Sequence, residues 1–189
     1  MKYKQQKQYR HKNYDYSQNG FYFVTICTKN HQKYFGSIIK SGDEHNLIYE
    51  MKLSEIGKIA KQCWLEIPKH FPFVNLDEYI IMPNHLHGII EIDKRICNGR
   101  NEALPRSYNG KYLQMSKISP KPGSVSTIIG SFKSIVTKTV NQKFSDNNFI
   151  WQPRFYDRII RNEKELDVIR RYICENSAKW HLDKYNLDK

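Results

Sequence analysis

Three kinds of segment are missing from the 189-residue sequence, and each absence excludes a class of protein. No run of about twenty apolar residues occurs, so we expect no membrane span. No apolar segment follows the basic N-terminal residues, so we expect no secretory signal. The four cysteines are widely spaced and form no CxxC pair, which excludes a zinc site of that type. We therefore expect reduced thiols and a cytoplasmic location.

Acidic residues are also few, with 19 Asp and Glu against 31 Lys and Arg and a formal net charge of +12. This excess favours a polyanionic partner, with nucleic acid first and an anionic membrane second. The length suits a single domain over 1–189 with one core. Residues 1–19 form a predicted basic arm and 93–123 a predicted flexible basic insertion. Each is either solvated surface or a DNA-contacting segment, and Lys12 is a candidate contact in the arm.

The most informative stretch is a pair of apolar, β-type runs that flank Pro83-Asn84, between Tyr79 and Ile92. Pro and Asn are turn residues, so the stretch predicts a tight hairpin. His85 and His87 then project from one face of the second strand, and Leu86 from the other. Two imidazoles so placed could share one metal ion. An isolated His-x-His is more often a pair of surface or hydrogen-bonded strand histidines, but this β-forming context favours a metal.

The order of the predicted elements is strand, helix, strand, strand, helix, strand and a final helix. That order predicts an α+β fold, a ferredoxin-like (split βαβ) antiparallel sheet with helices on one face plus a C-terminal helix. Ser54 is the predicted cap of the first helix, and Asn162 with Glu165 forms a predicted capping box for the last. The second helix has a predicted buried stripe: Val125, Ile128, Ile129, Phe132, Ile135, Val136 and Val140.

Aromatic and basic residues alternate before the last helix, in Trp151, Arg154, Phe155, Tyr156 and Arg158. This pattern is typical of single-strand binding surfaces, and equally of an edge strand that packs its aromatic rings on the core. The last helix carries further arginines beside Tyr172. The predicted DNA-binding residues are Lys12, Arg154, Arg158, Arg170 and Arg171.

Two of these stretches resemble a known family. Met82–Ile92 resembles the HUH block of single-tyrosine transposases, and Arg161–Asn176 resembles their C-terminal catalytic helix. The resemblance covers most of residues 14–180, excludes the insertion, and is strongest to the REP-associated tyrosine transposases. One departure is Asn176-Ser177, where that branch usually has Asn-Pro. We expect this change to alter the helix end more than the site.

The resemblance implies a function and a set of site residues. Tyr172 matches the catalytic tyrosine, and Asn176 matches an amide that holds the metal together with His85 and His87. The implied cofactor is a divalent metal, and a ligand set of this kind suits Mg²⁺ or Mn²⁺. The implied protein is a bacterial, metal-dependent endonuclease and strand transferase that acts on single-stranded hairpin DNA through a 5′-phosphotyrosine. Tyr156 is the reserve candidate for the nucleophile. A homodimer, with the tyrosine supplied by either subunit, is left open.

Two other functions fit parts of the sequence. A non-catalytic nucleic-acid-binding module has a similar element order, as in RNA-recognition domains, but it gives no role to His85, His87 and Asn176. A metal-dependent phosphodiesterase that uses water would need the metal ligands but would leave no protein–DNA adduct.

Overall fold

The computed structural model describes residues 10, 14–42, 47–97, 120–144 and 148–186. Four antiparallel strands form one sheet in the order β4-β5-β1-β6, namely β1 (Gly20–Cys27), β4 (Val74–Met82), β5 (His85–Ile92) and β6 (Tyr156–Ile160). β2 (Gly36–Ser41) and β3 (Ile48–Leu53) form a separate hairpin. The helices are α1 (Glu55–Leu65), the short α2 (Ile67–His70), α3 (Val125–Lys143) and α4 (Glu163–Cys174). The predicted ferredoxin-like fold is confirmed. β1 and β5 are the central strands, the connection from β1 to β4 passes over β5, and the connection from β5 to β6 passes over β1.

The two faces of the sheet carry different helices, because side chains alternate along each strand. On one face, apolar residues of β1 and β5 pack with α1 and α3 in the larger core, among them Tyr22, Ile26, Leu86, Trp64 and Phe132. On the other face, α4 buries its apolar line against a smaller cluster made by Ile89, Ile160, Leu166, Ile169 and Ile173. The helix predicted to be catalytic therefore covers the face that carries the histidines.

The helix starts follow the predicted caps. The Ser54 hydroxyl accepts a hydrogen bond from the Gly57 amide at 3.0 Å. Asn162 caps α4 by accepting from the Glu165 amide at 2.9 Å. The predicted capping box differs in one bond: the Glu165 carboxylate accepts from the Arg161 amide at 2.9 Å, one residue before the cap. Side chains therefore still accept hydrogen bonds from two backbone N–H groups at the start of α4: Asn162 from Glu165, and Glu165 from Arg161.

The burial of two apolar side chains, Ile135 and Trp151, tests two predictions from the sequence. Ile135 was predicted in the buried stripe of α3, but it is 38% exposed, while the other six members are buried. Trp151 lies in the core before the edge strand β6, and its indole N–H donates to the Lys133 carbonyl at 3.1 Å. Trp151 is thus a packing residue rather than a stacking surface for bases.

The described part of the predicted basic arm is packed on the protein. Tyr14 and Tyr16 lie against the larger core, and the Tyr16 carbonyl accepts from the amide of Val125. The Arg10 guanidinium bonds Asp157 on β6. Lys12, the rest of the arm and residues 98–119 of the predicted insertion lie outside the described residues. Within the described ranges, none of the helices is both long and apolar enough to cross a membrane.

Candidate metal and tyrosine site

The histidine pair lies at the start of β5, beside the Pro83-Asn84 turn. His85 pairs with Cys27 across the sheet and His87 pairs with Thr25, so both histidines point to the α4 side. Leu86 points to the opposite face and is buried in the larger core. Both histidines are buried, with exposed fractions of 0% and 2%. The predicted same-face arrangement is confirmed, and the site is inside the protein rather than on an open sheet surface.

The separation of the two imidazoles suits a shared divalent ion. Their Nε2 atoms are 3.1 Å apart. An ion with bonds of about 2.1 Å at right angles needs ligand atoms about 3.0 Å apart. Burial holds the pKa of His85 well below its usual value, and it lowers the pKa of His87 to about 3. Both rings are therefore neutral at physiological pH, which is the form that binds metals.

A third candidate ligand is Asp183, which sequence reasoning missed. Asp183 follows the 3₁₀ turn Trp180–Leu182, and its Oδ2 lies 3.7 Å from His85 Nε2. The ligand atoms of His85, His87 and Asp183 all lie within 4.8 Å of one another. A carboxylate adds the negative charge that a hard cation favours. The sequence held no signal for Asp183, because it lies beyond the last periodic segment and outside the matched motifs.

Tyr172 reaches the same site from α4. Its hydroxyl lies 3.1 Å from His87 Nε2, and its ring packs edge-on against His87 and Phe23. The side chain is 44% exposed, so one side of it is open to solvent. Burial raises the pKa of Tyr172, and the Asn176 side chain opposes this shift. The hydroxyl is thus protonated and needs a nearby positive charge to become an effective nucleophile.

Asn176 lies just past the end of α4, one turn beyond Tyr172. Its side-chain amide donates weakly to the Tyr172 carbonyl at 3.4 Å. The residue is 4% exposed, and its Oδ1 has no hydrogen-bond partner among the described residues. A buried amide oxygen without a donor is costly unless something else satisfies it, and a cation would do so. The residues present therefore fit a divalent metal.

The reserve tyrosine is placed differently. Tyr156 lies on β6 opposite Thr25, two strands away from the histidine strand, and it is as exposed as Tyr172. The Tyr172 hydroxyl lies within hydrogen-bond distance of His87, which favours Tyr172 over Tyr156 as the candidate nucleophile.

The predicted DNA-binding arginines occupy several surfaces. Arg154 and Arg171 are exposed. Arg158 pairs with Glu165. Arg170 binds the Asp77 carboxylate through Nε at 2.9 Å and Nη2 at 2.6 Å, which ties α4 to β4. Their contacts with DNA stay a prediction.

The fold is shared with known proteins of the class that the two motifs resemble. The chain shares its fold with a REP-associated tyrosine transposase solved in complex with a REP hairpin, with a TM-score of 0.57 and 17% identity over 95% of this chain and 77% of that one. A Haemophilus influenzae protein named as a REP-associated tyrosine transposase is 22% identical over 87% of this chain and 74% of its own length. The resemblance inferred from the two motifs is confirmed.

A relative with a higher sequence identity shows the family to which the chain belongs. An uncharacterized protein of Haemophilus influenzae is 40% identical over 179 residues, which are 95% of this chain and 92% of that protein. The chain belongs to the same family as this protein. No protein-family model matches the chain.

Proposed function

We propose that this protein is a transposase-type DNA endonuclease and strand transferase that uses Tyr172 as its nucleophile and a divalent metal, Mg²⁺ or Mn²⁺, as its cofactor. The observation that carries the proposal is the Tyr172 hydroxyl, 3.1 Å from His87 Nε2, beside a buried group of metal-ligand side chains. His85, His87 and Asp183 would hold the metal, with the amide oxygen of Asn176 as a further ligand. Bound there, the metal supplies Lewis-acid neutralisation of the scissile phosphate.

The chain's own residues perform the transfer. The Tyr172 oxygen loses its proton to solvent and bonds to phosphorus, and the bond from phosphorus to the 3′ oxygen breaks. That oxygen takes up one proton from solvent and leaves as a free 3′-hydroxyl, so the protons balance. The 5′ end of the cleaved strand is then linked to Tyr172. A cation held by His85, His87 and Asp183 would oppose the effect of burial and lower the pKa of the Tyr172 hydroxyl. Because the phosphotyrosine bond retains the energy of the phosphodiester, a second 3′-hydroxyl can reverse the reaction without a nucleotide cofactor.

The proposed substrate is single-stranded DNA that carries a hairpin, in the cytoplasm of a bacterium. The net charge of +12 and the exposed Arg154 and Arg171 suit a phosphate backbone. The structural relative was solved with a REP hairpin bound. Tyr172 and the histidines lie in one chain, so a monomer has every residue that the proposed reaction needs. The proposal therefore places the tyrosine at the metal site of its own subunit, whether the protein is a monomer or a homodimer.

The test is adduct formation. The protein is incubated with Mn²⁺ and a pool of end-labelled single-stranded hairpin oligonucleotides, and the products are separated on a denaturing gel. We expect a protein band shifted by covalently attached DNA, with the link mapped to Tyr172 by peptide mass spectrometry. Tyr172→Phe removes one oxygen and should abolish the band. Tyr156→Phe is the matched control, because Tyr156 is equally exposed, and it should leave the band unchanged.

The two alternative functions give different results in this assay. The water-using phosphodiesterase keeps some support, because His85, His87 and Asp183 can hold a metal without a tyrosine. It predicts metal-dependent cleavage with no adduct and no loss in Tyr172→Phe. A non-catalytic nucleic-acid-binding module predicts neither cleavage nor an adduct, and binding that a chelator does not affect.

A further inference from the structure

The asparagine before the histidine pair is held in one orientation. Asn84 is fully buried, and its Nδ2 donates to the His31 carbonyl at 3.0 Å and to the Tyr185 carbonyl at 2.7 Å. Its Oδ1 lies 2.8 Å from His85 Nδ1. If the amide were turned over, its oxygen would face two carbonyl oxygens that cannot donate. The network therefore assigns the oxygen to the His85 side.

This orientation determines the protonation of one ring. Asn84 Oδ1 can only accept, so His85 Nδ1 must carry a hydrogen and donate it. An imidazole that binds a metal is neutral, so in that form the His85 ring has a single N–H. Its Nε2 then presents a lone pair toward His87 and Asp183. That is the tautomer a metal ligand needs, and the partner on the other ring nitrogen sets it.

The neighbouring histidine has a partner of a different kind. His87 Nδ1 lies 2.8 Å from the Thr25 hydroxyl, which can either donate or accept. The two Nε2 atoms, 3.1 Å apart, repel each other if both carry bare lone pairs. With His85 in the Nδ1–H form, the hydrogen between the two Nε2 atoms of the metal-free protein comes from His87, whose Nε2–H has both His85 Nε2 and the Tyr172 hydroxyl oxygen 3.1 Å away as acceptors. When a cation lies between them, the hydrogen of His87 must be on Nδ1 instead.

We propose that Asn84 is a positioning residue that fixes His85 as the Nδ1–H tautomer, while Thr25 allows His87 to change from Nε2–H to Nδ1–H as a divalent cation binds. The Thr25 hydroxyl turns from donor to acceptor in this change. The pair keeps one hydrogen on each ring, so the protons balance without release to solvent. The inference rests on the metal site of the proposed function, and it adds the means by which that site is prepared.

The direct test is long-range ¹⁵N–¹H NMR of the imidazole rings, which distinguishes the two tautomers by their nitrogen shifts. In metal-free protein we expect His85 as Nδ1–H and His87 as Nε2–H. With saturating Mg²⁺, which is diamagnetic, His85 should keep its tautomer and His87 should become Nδ1–H. A metal-free His85 in the Nε2–H form would overturn the role of Asn84, and this result needs no variant.

Variants separate positioning from general structural support. Asn84→Asp loses both donors to the His31 and Tyr185 carbonyls but keeps an acceptor for His85, whereas Asn84→Leu loses all three bonds. Both should lower thermal stability, but Asn84→Asp should keep the Nδ1–H tautomer of His85. Mn²⁺ affinity by calorimetry should fall about 10–100-fold in Asn84→Leu and be largely retained in Asn84→Asp. Equal loss of affinity and of the tautomer in both variants would show that Asn84 is merely structural.

Thr25→Val tests the second half of the proposal. Without the hydroxyl, His87 Nδ1–H has no acceptor, so Mn²⁺ affinity should fall while the His85 tautomer is unchanged. Mg²⁺ binding without a tautomer change at His87 would refute the role of Thr25. If no divalent cation binds at all, the metal site of the proposed function fails, while the metal-free tautomer of His85 still decides the role of Asn84.

Discussion

Asn176 and Asp183 are the two candidate oxygen donors of the proposed metal site. The Asn176 oxygen is buried and has no hydrogen-bond partner in the described part of the chain. The Asp183 carboxylate lies beside His85, at a distance longer than a good hydrogen bond. Each of these oxygens suits a divalent cation, because hard cations prefer carboxylate and amide oxygens. This residue-level pattern separates a metal site from a buried pair of structural histidines.

The first prediction concerns these two oxygens. Asp183→Asn should lower the Mn²⁺ affinity by more than about tenfold, since a direct ligand should matter at least as much as an outer partner. Asn176→Ala should weaken Mn²⁺ binding less and slow cleavage without abolishing it, because a neutral amide contributes less and three ligands remain. Isothermal titration calorimetry measures both affinities. Asp167→Asn, an exposed acid on α4, is the control. Unchanged affinity in Asp183→Asn would exclude Asp183 as a ligand.

At the scale of elements, α1 packs closely against β5 because β5 has a glycine, Gly88, at the point of contact. A Cβ on Gly88 would lie 2.4 Å from the buried Trp64 ring, so the helix can pack at this depth only if position 88 has no side chain. Gly88→Ala should therefore destabilise the protein by about 1–3 kcal/mol, measured by urea unfolding.

The control for this substitution is a glycine with free space. Gly130 is exposed within α3, and nothing lies within 4 Å of an added Cβ. Gly130→Ala should stabilise the protein by about 0.5–1 kcal/mol, because glycine is a poor helix former. Equal effects at the two positions would contradict the close approach of Trp64 to β5.

The second contact between elements ties α4 to the edge of the sheet. The hydrogen bond from Arg170 holds the pKa of Asp77 below its usual value. Because the folded pKa is lower than the unfolded one, the pair stabilises the fold above about pH 4 and loses this effect as the pH falls through the folded pKa. Asp77→Asn should therefore cost about 1 kcal/mol near neutral pH and progressively less below pH 4. Denaturant unfolding across that range measures the difference.

A control for this prediction is available on the same arginine. Asp167 also contacts Arg170, but at 3.3 Å and with a side chain that is 62% exposed. Asp167→Asn should have little effect at any pH, since exposed ion pairs contribute little. A cost for Asp77→Asn that does not change with pH would mean that the ion pair is not its source.

At the scale of the whole molecule, the dominant feature is the charge of +12. Bound Lys and Arg release condensed cations from DNA, so the affinity for a single-stranded hairpin should fall steeply with salt. Fluorescence anisotropy between 50 and 200 mM NaCl gives the slope of log affinity against log salt, about −0.7 for each neutralised phosphate. Arg154→Gln should make the slope shallower by about 0.7, which is the contribution of one phosphate contact. A flat affinity over this range would count against nucleic acid as the partner.

The large-scale organisation was predictable because its signals are local. The two-residue period in β5 placed His85 and His87 on one face, and the caps at Ser54 and Asn162 marked helix starts correctly. The element order then led to the sheet order, because few arrangements accommodate two crossovers around a hairpin. The prediction of one domain over 1–189 stays a prediction. The error at Ile135 arose because periodicity shows where a stripe lies but not how wide its buried part is.

The sequence by itself determined the strands, the helices, the histidine pair and, through the resemblance, the choice of Tyr172 and Asn176. Only the tertiary structure placed Asp183 beside His85, because a carboxylate beyond the last helix has no period or motif that reports its position. The same holds for Asn84, whose amide joins the carbonyls of His31 and Tyr185, which are 53 and 101 residues away. Such contacts depend on how distant segments pack together, and a local pattern carries no information about that packing.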